Sequence, residues 1–425
     1  MVNFDGIAGR PVAGRPVGGP VGGPEPRGPV YLDHAATSLM LPEALAAMTE
    51  ELSQLGNPSS LHNAGRRARR VVEEAREQIA EAYEARPSEV VFTSGGTEAD
   101  NLAVKGLFWA RRAADPARNR LLVTQTEHHA VLDSVHWLAD HEGARGAQGA
   151  QGANVDWMPV SPTGRLSPAE LRGAIERDPA SVALISVMWA NNEVGTVQPI
   201  AELAQVAREY QIPFHSDAVQ AAGQLPVGLA SSGATALTVT AHKIGGPVGV
   251  GALLLARGTD AVPVLHGGGQ ERDVRSGTLD APAIRAFAVA VAITSERRAD
   301  EAKRLAALRD DLIGQVLATV PDAKLNGEPP GPGRLPGNAH FSFPGCEGDA
   351  LLMLLDARDI ACSTGSACTA GVAQPSHVLL AMGADEARAR GSLRFSLGYS
   401  TVQGDIDALG AVIGEVVERA RRAGR

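Results

Sequence analysis

Two hydrophobic patterns alternate along the chain from Tyr31 onward. Short runs of β-branched and apolar residues predict strands, and longer stretches with helical periodicity predict amphipathic helices. The predicted strands are VVFTS, RLLVTQ, VALISVMWA, IPFHSDAV, ALTVTAHK and VGALLLA. The predicted helices are GRRARRVVEEAREQIAEAY, TEADNLAVKGLFWARRA and PIAELAQVAREY. Strands that alternate with helices in this way predict an α/β domain around a mainly parallel sheet.

The pattern changes after about residue 298. A long helix is followed by the strand NAHFSF, the helix GDALLMLLDARD, a cysteine-bearing loop, the strand LRFSLG and a final helix. We therefore expect a large domain of residues 41–298 and a smaller α+β domain formed by residues 30–40 and 299–425. A helix spanning roughly 287–320 is expected to join the two.

Segments rich in glycine and proline interrupt these elements. Residues 1–29 repeat the tetrapeptide GRPV and cannot bury enough apolar surface to order themselves, so we expect a disordered extension. This extension lacks the continuous apolar core of a signal peptide. GARGAQGAQGAN (143–154) predicts a surface loop insertion, and GEPPGPGRLPGN (327–338) predicts a long proline-rich connection.

The composition narrows the classes of function. A chain of 425 residues with 44% hydrophobic residues can form two domains with sizeable cores. The net charge of −9 argues against a protein that binds nucleic acid through its phosphates. Three cysteines without a CxxC pair favour a reducing compartment over a disulfide scaffold or a zinc site. With no apolar run long enough to span a membrane, the sequence predicts a cytoplasmic protein.

The candidate functional residues lie where the predicted strands end. SGGTEA follows VVFTS, NNEVG follows VMWA, Asp217 ends the run IPFHSD, and Lys243 follows ALTVTAH. In open parallel sheets, ligands bind beyond the carboxyl ends of the strands. These segments are therefore expected to form one site.

Lys243 and Asp217 suggest the chemistry of that site. The chain has four lysines among its 39 basic residues, so arginine serves wherever a simple positive charge suffices. Lys243 thus indicates a place where an amine is needed, because a guanidinium cannot form an imine. Asp217, one strand-helix unit earlier, could cap a helix or form a structural ion pair. Alternatively, it could bind a pyridinium nitrogen, and an aspartate with an imine-forming lysine is what a pyridoxal phosphate site requires.

The loop FTSGGTEADN has two interpretations. Glycine and free N–H groups at a helix start suit a phosphate, which would lie near Gly96 and Thr97. The same residues could form a helix-capping box, with Ser94 or Thr97 as the cap and Glu98 in the first turn. The spacing matches neither a Walker loop nor GxGxxG, so it does not support ATP or NAD.

Three further features are ambiguous by residue type alone. His128 and His129 are adjacent, so we expect at most one to face the site, where an imidazole could stack on a ring and move protons. Cys362 and Cys368 lie among small residues in CSTGSACTAG. This loop could present one of them as a reactive thiolate, or the cysteines could be buried structural thiols. Arg394 in LRFSLG suits a carboxylate ligand or an ion pair at the surface.

Taken together, the motifs resemble one family. YLDHAATS, GNPSSLHNAGR, FTSGGTEADNLAVKG, TEHHAVLDS, NNEVGTVQPI, HSDAVQAAGQLPV, TAHKIGGPVGVG, HGGGQERDVRSGTLDAP, SGSACTAG and LRFSLG occur in that order. They resemble the blocks of pyridoxal-phosphate-dependent cysteine desulfurases of the NifS/IscS type, from Tyr31 to about residue 410. The resemblance implies a fold-type I pyridoxal-phosphate transferase that converts L-cysteine to L-alanine and transfers the sulfur to an active-site cysteine as a persulfide.

The resemblance also assigns roles to individual residues. It implies that pyridoxal 5'-phosphate is bound by Gly96, Thr97, His128, Asn192, Asp217, Gln220, Thr240, His242, Lys243 and Thr278. Lys243 would form the imine, Asp217 would keep the ring nitrogen protonated, and His128 would stack on the ring. Gln220 would donate to the ring hydroxyl. Thr278 would reach the phosphate bound by a neighbouring subunit, which implies a homodimer.

The remaining assignments concern the phosphate, the substrate and the thiol. Those for the phosphate are Gly96, Thr97, Thr240 and His242. Asn192 and Arg394 would bind the carboxylate of L-cysteine, and Cys368 would be the nucleophile, with Cys362 incidental. With Lys243 and His128, Cys368 completes the predicted catalytic set, and no metal is expected. His34 stands where asparagine or tyrosine is more usual in the family.

Other functions remain compatible with parts of this pattern. A class-V aminotransferase would not use a thiol at Cys368, and a selenocysteine lyase would depend on it less. A non-catalytic subunit should have lost Lys243, Asp217 or Cys368, and all three are present. The sulfur acceptor could be an iron–sulfur scaffold, a tRNA-thiolating enzyme, a sulfur-carrier protein or a DNA-modification pathway.

Overall fold

A computed structural model describes residues 28–141, 152–365 and 374–423. Three sequence predictions lie wholly or mainly outside these ranges: the N-terminal extension, the 143–154 insertion and Cys368. The described chain forms an α/β fold with a mainly parallel central sheet, as the alternating pattern predicts.

The strands of the central sheet are β2 (Val90–Thr93), β3 (Arg120–Thr124), β4 (Asn154–Met158), β5 (Val182–Ser186), β6 (Phe214–Asp217), β7 (Ala236–Thr240) and β8 (Gly251–Leu255). These seven strands of the described chain lie in the order β2-β8-β7-β6-β5-β3-β4. Neighbouring strands run parallel except at β8, which pairs antiparallel with both β2 and β7. The strands other than β4 are buried along their whole length, as is typical of a sheet covered on both faces.

Helices cover the two faces of this sheet. They are α1 (Pro42–Leu52), α2 (Asn63–Ala82), α3 (Gly96–Asn101), α4 (Leu107–Ala114), α5 (His129–His141), α6 (Pro168–Glu176), α7 (Ile200–Glu209) and α8 (Leu229–Ser232). A π-helical turn at Leu102–Gly106 makes α3 and α4 continuous. Apolar side chains from helices and strands form one core on each face, built around Phe92 and Phe214 on one and Leu121 and Phe108 on the other.

A second, smaller sheet forms a separate core. Its antiparallel strands are β9 (Lys324–Leu325), β10 (Asn338–Ser342) and β12 (Ser392–Ser396), while β1 (Val30–Tyr31) pairs in parallel with β11 (Ile360–Ala361). The associated helices are α10 (Gly348–Asp356), α11 (His377–Ala381), α12 (Glu386–Arg390) and α13 (Gln403–Ala423). This arrangement agrees in kind with the expected α+β part, and the exact domain boundaries stay a prediction.

Helix α9 (Ala281–Thr319) contributes to both parts. Its first half packs into the core of the central sheet through Phe287 and Val291, and its second half packs into the smaller core through Leu312 and Val316. The helix begins at Ala281, earlier than the predicted start near residue 287. Asp280 caps this end by accepting a hydrogen bond from the backbone N–H of Ala283 at 3.1 Å. Among the described helices, none combines the length and the apolar character needed to cross a membrane.

Candidate active site

A cavity of about 390 Å³ opens where the central strands end. Its walls include the predicted residues Gly96, Thr97, His128, Asn192, Asp217, Gln220, Thr240, His242, Lys243 and Arg394. Thr278 is exposed and is not among the residues that line the cavity of its own chain. Cys368 lies outside the described residues. The structure therefore brings most of the sequence-predicted site together.

Lys243 ends a short 3₁₀ turn that follows β7. Its Nζ donates hydrogen bonds to the carbonyl oxygens of Ala35 at 2.5 Å and Ala36 at 2.6 Å. Burial, together with the nearby Arg394 guanidinium, lowers the pKa of Lys243 to about 8, while Asp33 and Asp217 act in the opposite direction. A substantial fraction of the amine is therefore neutral near pH 8, as a nucleophile requires.

Asp217 lies at the carboxyl end of β6, and only 5% of its surface is exposed. Its Oδ1 accepts a hydrogen bond from the backbone N–H of Val219 at 2.9 Å. Burial raises the pKa of Asp217 to about 6, although this hydrogen bond and the charge of Lys243 counteract the shift. Asp217 is therefore mainly ionised at pH 7, and a cationic ligand in the cavity would favour that form further.

The loop before α3 has the backbone of an anion site. The N-cap is Gly95, whose φ of 146° lies in the region that favours glycine, and no side chain caps this helix. The capping alternative, with Ser94 or Thr97 as the cap, is therefore wrong. Glu98 instead accepts a hydrogen bond from the backbone N–H of Ser94 at 2.7 Å and pairs with Arg275. A Cβ at Gly96 would lie 3.1 Å from Cγ2 of Val219, so any larger residue here would force Val219 to shift.

The two histidines both reach the cavity, contrary to the expectation that at most one would. His128 Nδ1 accepts the backbone N–H of Ala130 at 3.1 Å, which places the ring proton on Nε2. Burial between the cavity walls, with a contribution from Lys243, lowers the pKa of His128 to about 4, so the ring is neutral. His129 begins α5 at the rim, where its ring lies edge-on to His377 with centroids 5.0 Å apart.

Arg394 approaches the cavity from β12. Its Nη1 donates to the carbonyl oxygen of Asn192 at 2.9 Å, and its Nη2 lies 2.8 Å from Oδ1 of Asp33. The Arg394 side chain is 5% exposed, so the alternative of an ion pair at the surface is wrong. The sequence did not predict the pairing of Asp33 with Arg394, because the two residues are 361 positions apart.

Sequence reasoning missed several other cavity residues, among them Asp100, Glu193 and His377. Glu193 Oε2 accepts the Ser376 hydroxyl at 2.5 Å, and His377 Nε2 lies 3.0 Å from the carbonyl oxygen of Glu127. Asp100 and Glu193 lie inside the motifs FTSGGTEADN and NNEVG, whereas His377 lies outside the motifs. Membership of a motif is a weak signal for a single acid, because acidic residues usually lie at the protein surface.

Cys362 is a buried thiol with 7% of its surface exposed. Burial, and to a lesser extent the charge of Asp33, raises the pKa of Cys362 to about 12. A thiol in this state is a poor nucleophile. The geometry supports the prediction that Cys362 is incidental.

Comparison with known proteins identifies the family. The model of the class-V aminotransferases matches residues 30–409. An IscS-like cysteine desulfurase from Mycobacterium tuberculosis is 58% identical over 393 residues, which cover 92% of this chain and 97% of that protein. The chain belongs to the cysteine desulfurases of the class-V aminotransferase family.

Solved structures of this family share the fold. A NifS-like protein superposes with a TM-score of 0.82 at 31% identity, covering 92% of this chain and 100% of the other. The structure of SspA in complex with cysteine gives a TM-score of 0.73 at 33% identity, covering 88% of this chain and 99% of the other. The resemblance seen in the sequence motifs is confirmed at the level of family and fold.

The cavity suits a pyridoxal phosphate group. It offers an amine of lowered pKa on Lys243, a buried carboxylate on Asp217 and a neutral imidazole on His128. The glycine at position 96 leaves room for close approach at the helix start. This set matches what the cofactor needs: an amine for its aldehyde, an anion for its ring nitrogen and backbone donors for its phosphate.

Proposed function

We propose that this chain is a pyridoxal-phosphate-dependent cysteine desulfurase that converts L-cysteine to L-alanine and retains the sulfur on Cys368. The observation that carries the proposal is the convergence of Lys243, Asp217 and Arg394 on one cavity. An amine, an anion and a guanidinium together can anchor the cofactor and hold an amino acid substrate. The identity with cysteine desulfurases over most of the chain supports this choice of reaction.

The cofactor, when bound, supplies an electron sink that stabilises negative charge at the substrate α-carbon. We assign its aldehyde to Lys243, its ring nitrogen to Asp217 and its ring hydroxyl to Gln220. The residues assigned to its phosphate are Gly96, Thr97, Thr240 and His242. The Thr240 hydroxyl donates to the carbonyl oxygen of Val250 at 3.2 Å, and rotation of its proton toward the phosphate would let it donate there instead.

The substrate would be oriented by Arg394 and Asn192. The guanidinium binds the substrate carboxylate, and its contact with the Asn192 carbonyl fixes the plane of the fork. The amino group of L-cysteine would take the place of Lys243 on the aldehyde, which leaves Nζ free, as a neutral amine, to take the proton from the α-carbon. The carbonyl oxygens of Ala35 and Ala36 stabilise the ammonium that results, because both already accept hydrogen bonds from Nζ.

The sulfur step is assigned to Cys368 from its sequence motif. The thiolate attacks the sulfur of the bound substrate, so an S–S bond forms as the C–S bond breaks. The electron pair of the C–S bond stays with the substrate, whose β-carbon takes up a proton, and return of the α-proton from the Lys243 ammonium completes L-alanine. The persulfide on Cys368 can then pass sulfur to an acceptor protein, such as an iron–sulfur scaffold or a tRNA-thiolating enzyme.

The reaction can be tested by measuring L-alanine formed from L-cysteine in the presence of a reductant. We expect Cys368→Ala to abolish alanine release while the visible band of the bound cofactor is retained. Cys362→Ala is the matched control and should keep wild-type activity. Unchanged alanine release in Cys368→Ala would remove the thiol from the mechanism. Faster release from selenocysteine than from cysteine in that variant would indicate a selenocysteine lyase.

We further propose that the active unit is a homodimer in the cytoplasm. Thr278 is exposed outside the cavity of its own chain, where it could reach the phosphate of a second subunit. Large apolar side chains are exposed at Leu55 (86%), Leu61 (85%) and Val248 (76%), and subunit interfaces bury such residues. Sedimentation of the wild type as a dimer and of Leu55→Glu as a monomer would support this, whereas a monomeric active wild type would contradict it.

A further inference from the structure

Three carboxyl groups are buried in the region of the cavity, and two of them, those of Asp100 and Asp217, line it. The three groups belong to Asp217 at the end of β6, Asp100 in α3 and Glu127 just after β3. Asp100 is 1% exposed and Glu127 is fully buried. Both Asp217 and Glu127 raise the pKa of Asp100 through their charges, which shows that the three groups interact. Three negative charges in this space would repel one another strongly, because water does not screen them.

The hydrogen-bond partners of the three groups differ. Asp217 faces the amine of Lys243 and accepts a backbone N–H. Glu127 Oε1 accepts the Thr124 hydroxyl and the backbone N–H of Met188, both at 2.7 Å. Glu127 Oε2 and Asp100 Oδ1 are buried and have no hydrogen-bond partner within the part of the chain that the structure describes. A carboxylate leaves such an oxygen uncompensated, whereas a carboxylic acid can carry its proton there.

Within the ion pairs of the described residues, the basic side chain paired with Asp100 is His215. Its Nε2 lies 3.5 Å from Asp100 Oδ1 but nearer, at 3.1 Å, to the Thr238 hydroxyl. Its Nδ1 lies 2.9 Å from the Ser186 hydroxyl, so both ring nitrogens have neutral partners. Complete burial lowers the pKa of His215 to about 3. A neutral imidazole gives Asp100 no counter-charge.

We propose that Asp100 and Glu127 are neutral carboxylic acids, so that Asp217 alone of the three carries a negative charge. This inference rests on the proposed function, in which Asp217 binds the cationic ring nitrogen of the cofactor. The two acids add polar groups near Asp217 without a competing charge. The single charge thereby stays on the carboxyl group that lines the same cavity as Lys243.

The direction of the pKa shifts agrees with this arrangement. Burial raises the pKa of Glu127 to about 8, against hydrogen bonds from Thr124 and Met188 that act in the opposite direction. Burial and the charge of Asp217 raise the pKa of Asp100 well above its usual value, against a hydrogen bond from Thr238. Burial also raises the pKa of Asp217, to about 6, but the Val219 N–H and the charge of Lys243 favour its ionised form.

Amide substitutions distinguish a neutral acid from a carboxylate, because an amide resembles only the neutral acid. We would compare Asp100→Asn, Glu127→Gln and Asp217→Asn by titrating each apoprotein with pyridoxal 5'-phosphate and recording the visible band. We expect Asp100→Asn and Glu127→Gln to bind within about threefold of the wild type, and Asp217→Asn to bind about a hundredfold more weakly. Equal weakening in all three variants would overturn the inference, because Asp100 and Glu127 would then be working as anions.

A spectroscopic readout keeps the test independent of folding and activity. In the infrared spectrum of the wild-type apoprotein at pH 7, we expect the carbonyl stretch of protonated carboxyl groups, reduced in Glu127→Gln and in Asp100→Asn. A wild-type spectrum without this band would overturn the inference even if a variant did not fold. Normal cofactor binding by Asp217→Asn, with the infrared band of the protonated carboxyl groups present, would contradict the proposed cofactor site. It would not contradict the neutral state of Asp100 and Glu127.

Discussion

The two walls of the cavity are built differently. The sheet wall consists of the strand-end residues Gly96, Thr97, Asp217, His242 and Lys243, which lie at the ends of β2, β6 and β7. The β12 wall comprises Ala35, Ala36, Ser363 and Arg394, which lie far apart in the sequence. The sheet wall presents the groups that a cofactor needs. In the β12 wall, the carbonyl oxygen of Ala35 accepts a hydrogen bond from Lys243, and Arg394 pairs with Asp33. Under the proposed function, the cofactor would depend mainly on the sheet wall, and the substrate carboxylate would depend on Arg394 of the β12 wall.

The largest effect should come from Lys243→Ala in the sheet wall. We expect L-alanine formation to fall about a thousandfold or more, because the variant loses both the anchoring amine and the base. The visible band of the bound cofactor should disappear as well. Lys303→Ala is the control, since Lys303 is an exposed lysine on α9. Retained activity in Lys243→Ala would show that the sheet wall does not perform the chemistry.

Arg394→Ala should show whether the two walls have different functions. Loss of a charge-assisted hydrogen bond costs about 1.5–3 kcal/mol, so we expect KM for L-cysteine to rise about ten- to a hundredfold. The visible band and the affinity for the cofactor should stay close to those of the wild type. Arg422→Ala, at an exposed position on α13, provides the control. Weakened cofactor binding in Arg394→Ala, with unchanged KM, would contradict the division of roles.

The pH dependence of cofactor attachment should report on Lys243. Only the neutral amine attacks an aldehyde, and burial lowers the pKa of Lys243 to about 8. The rate at which apoprotein forms the visible band should therefore rise about tenfold per unit as pH increases toward 8, and level off above it. Stopped-flow absorbance would measure this rate. A rate that continues to rise up to pH 10 would mean that the lysine has its ordinary pKa.

Asp33→Asn should give the smallest effect. The variant keeps an oxygen that can accept from Nη2 of Arg394 but removes a negative charge close to the substrate carboxylate. We expect KM for L-cysteine to fall about two- to fivefold, with kcat within about twofold of the wild type. Steady-state kinetics at low ionic strength would show this. A large rise in KM would mean that the charge of Asp33 is needed to orient Arg394.

The same comparison shows how far the sequence predicts the structure. The sheet wall follows from local patterns, because each of its residues directly follows a recognisable strand. The edge strand β4 was missed, since NVDWM is only partly buried and lacks a continuous apolar run. Asp33 and Asp100 were missed for another reason: their environment depends on residues distant in sequence. A buried acid and an exposed acid look the same in a sequence.

The central claim is that Lys243 anchors the cofactor within this cavity, and reduction with borohydride tests it most directly. Protein loaded with pyridoxal 5'-phosphate would be reduced, digested and mapped by mass spectrometry. The account predicts a stable adduct on the peptide that contains Lys243, and a marked decrease of that adduct when L-cysteine is added before reduction. An adduct on Lys105, Lys303 or Lys324, or none at all, would contradict it.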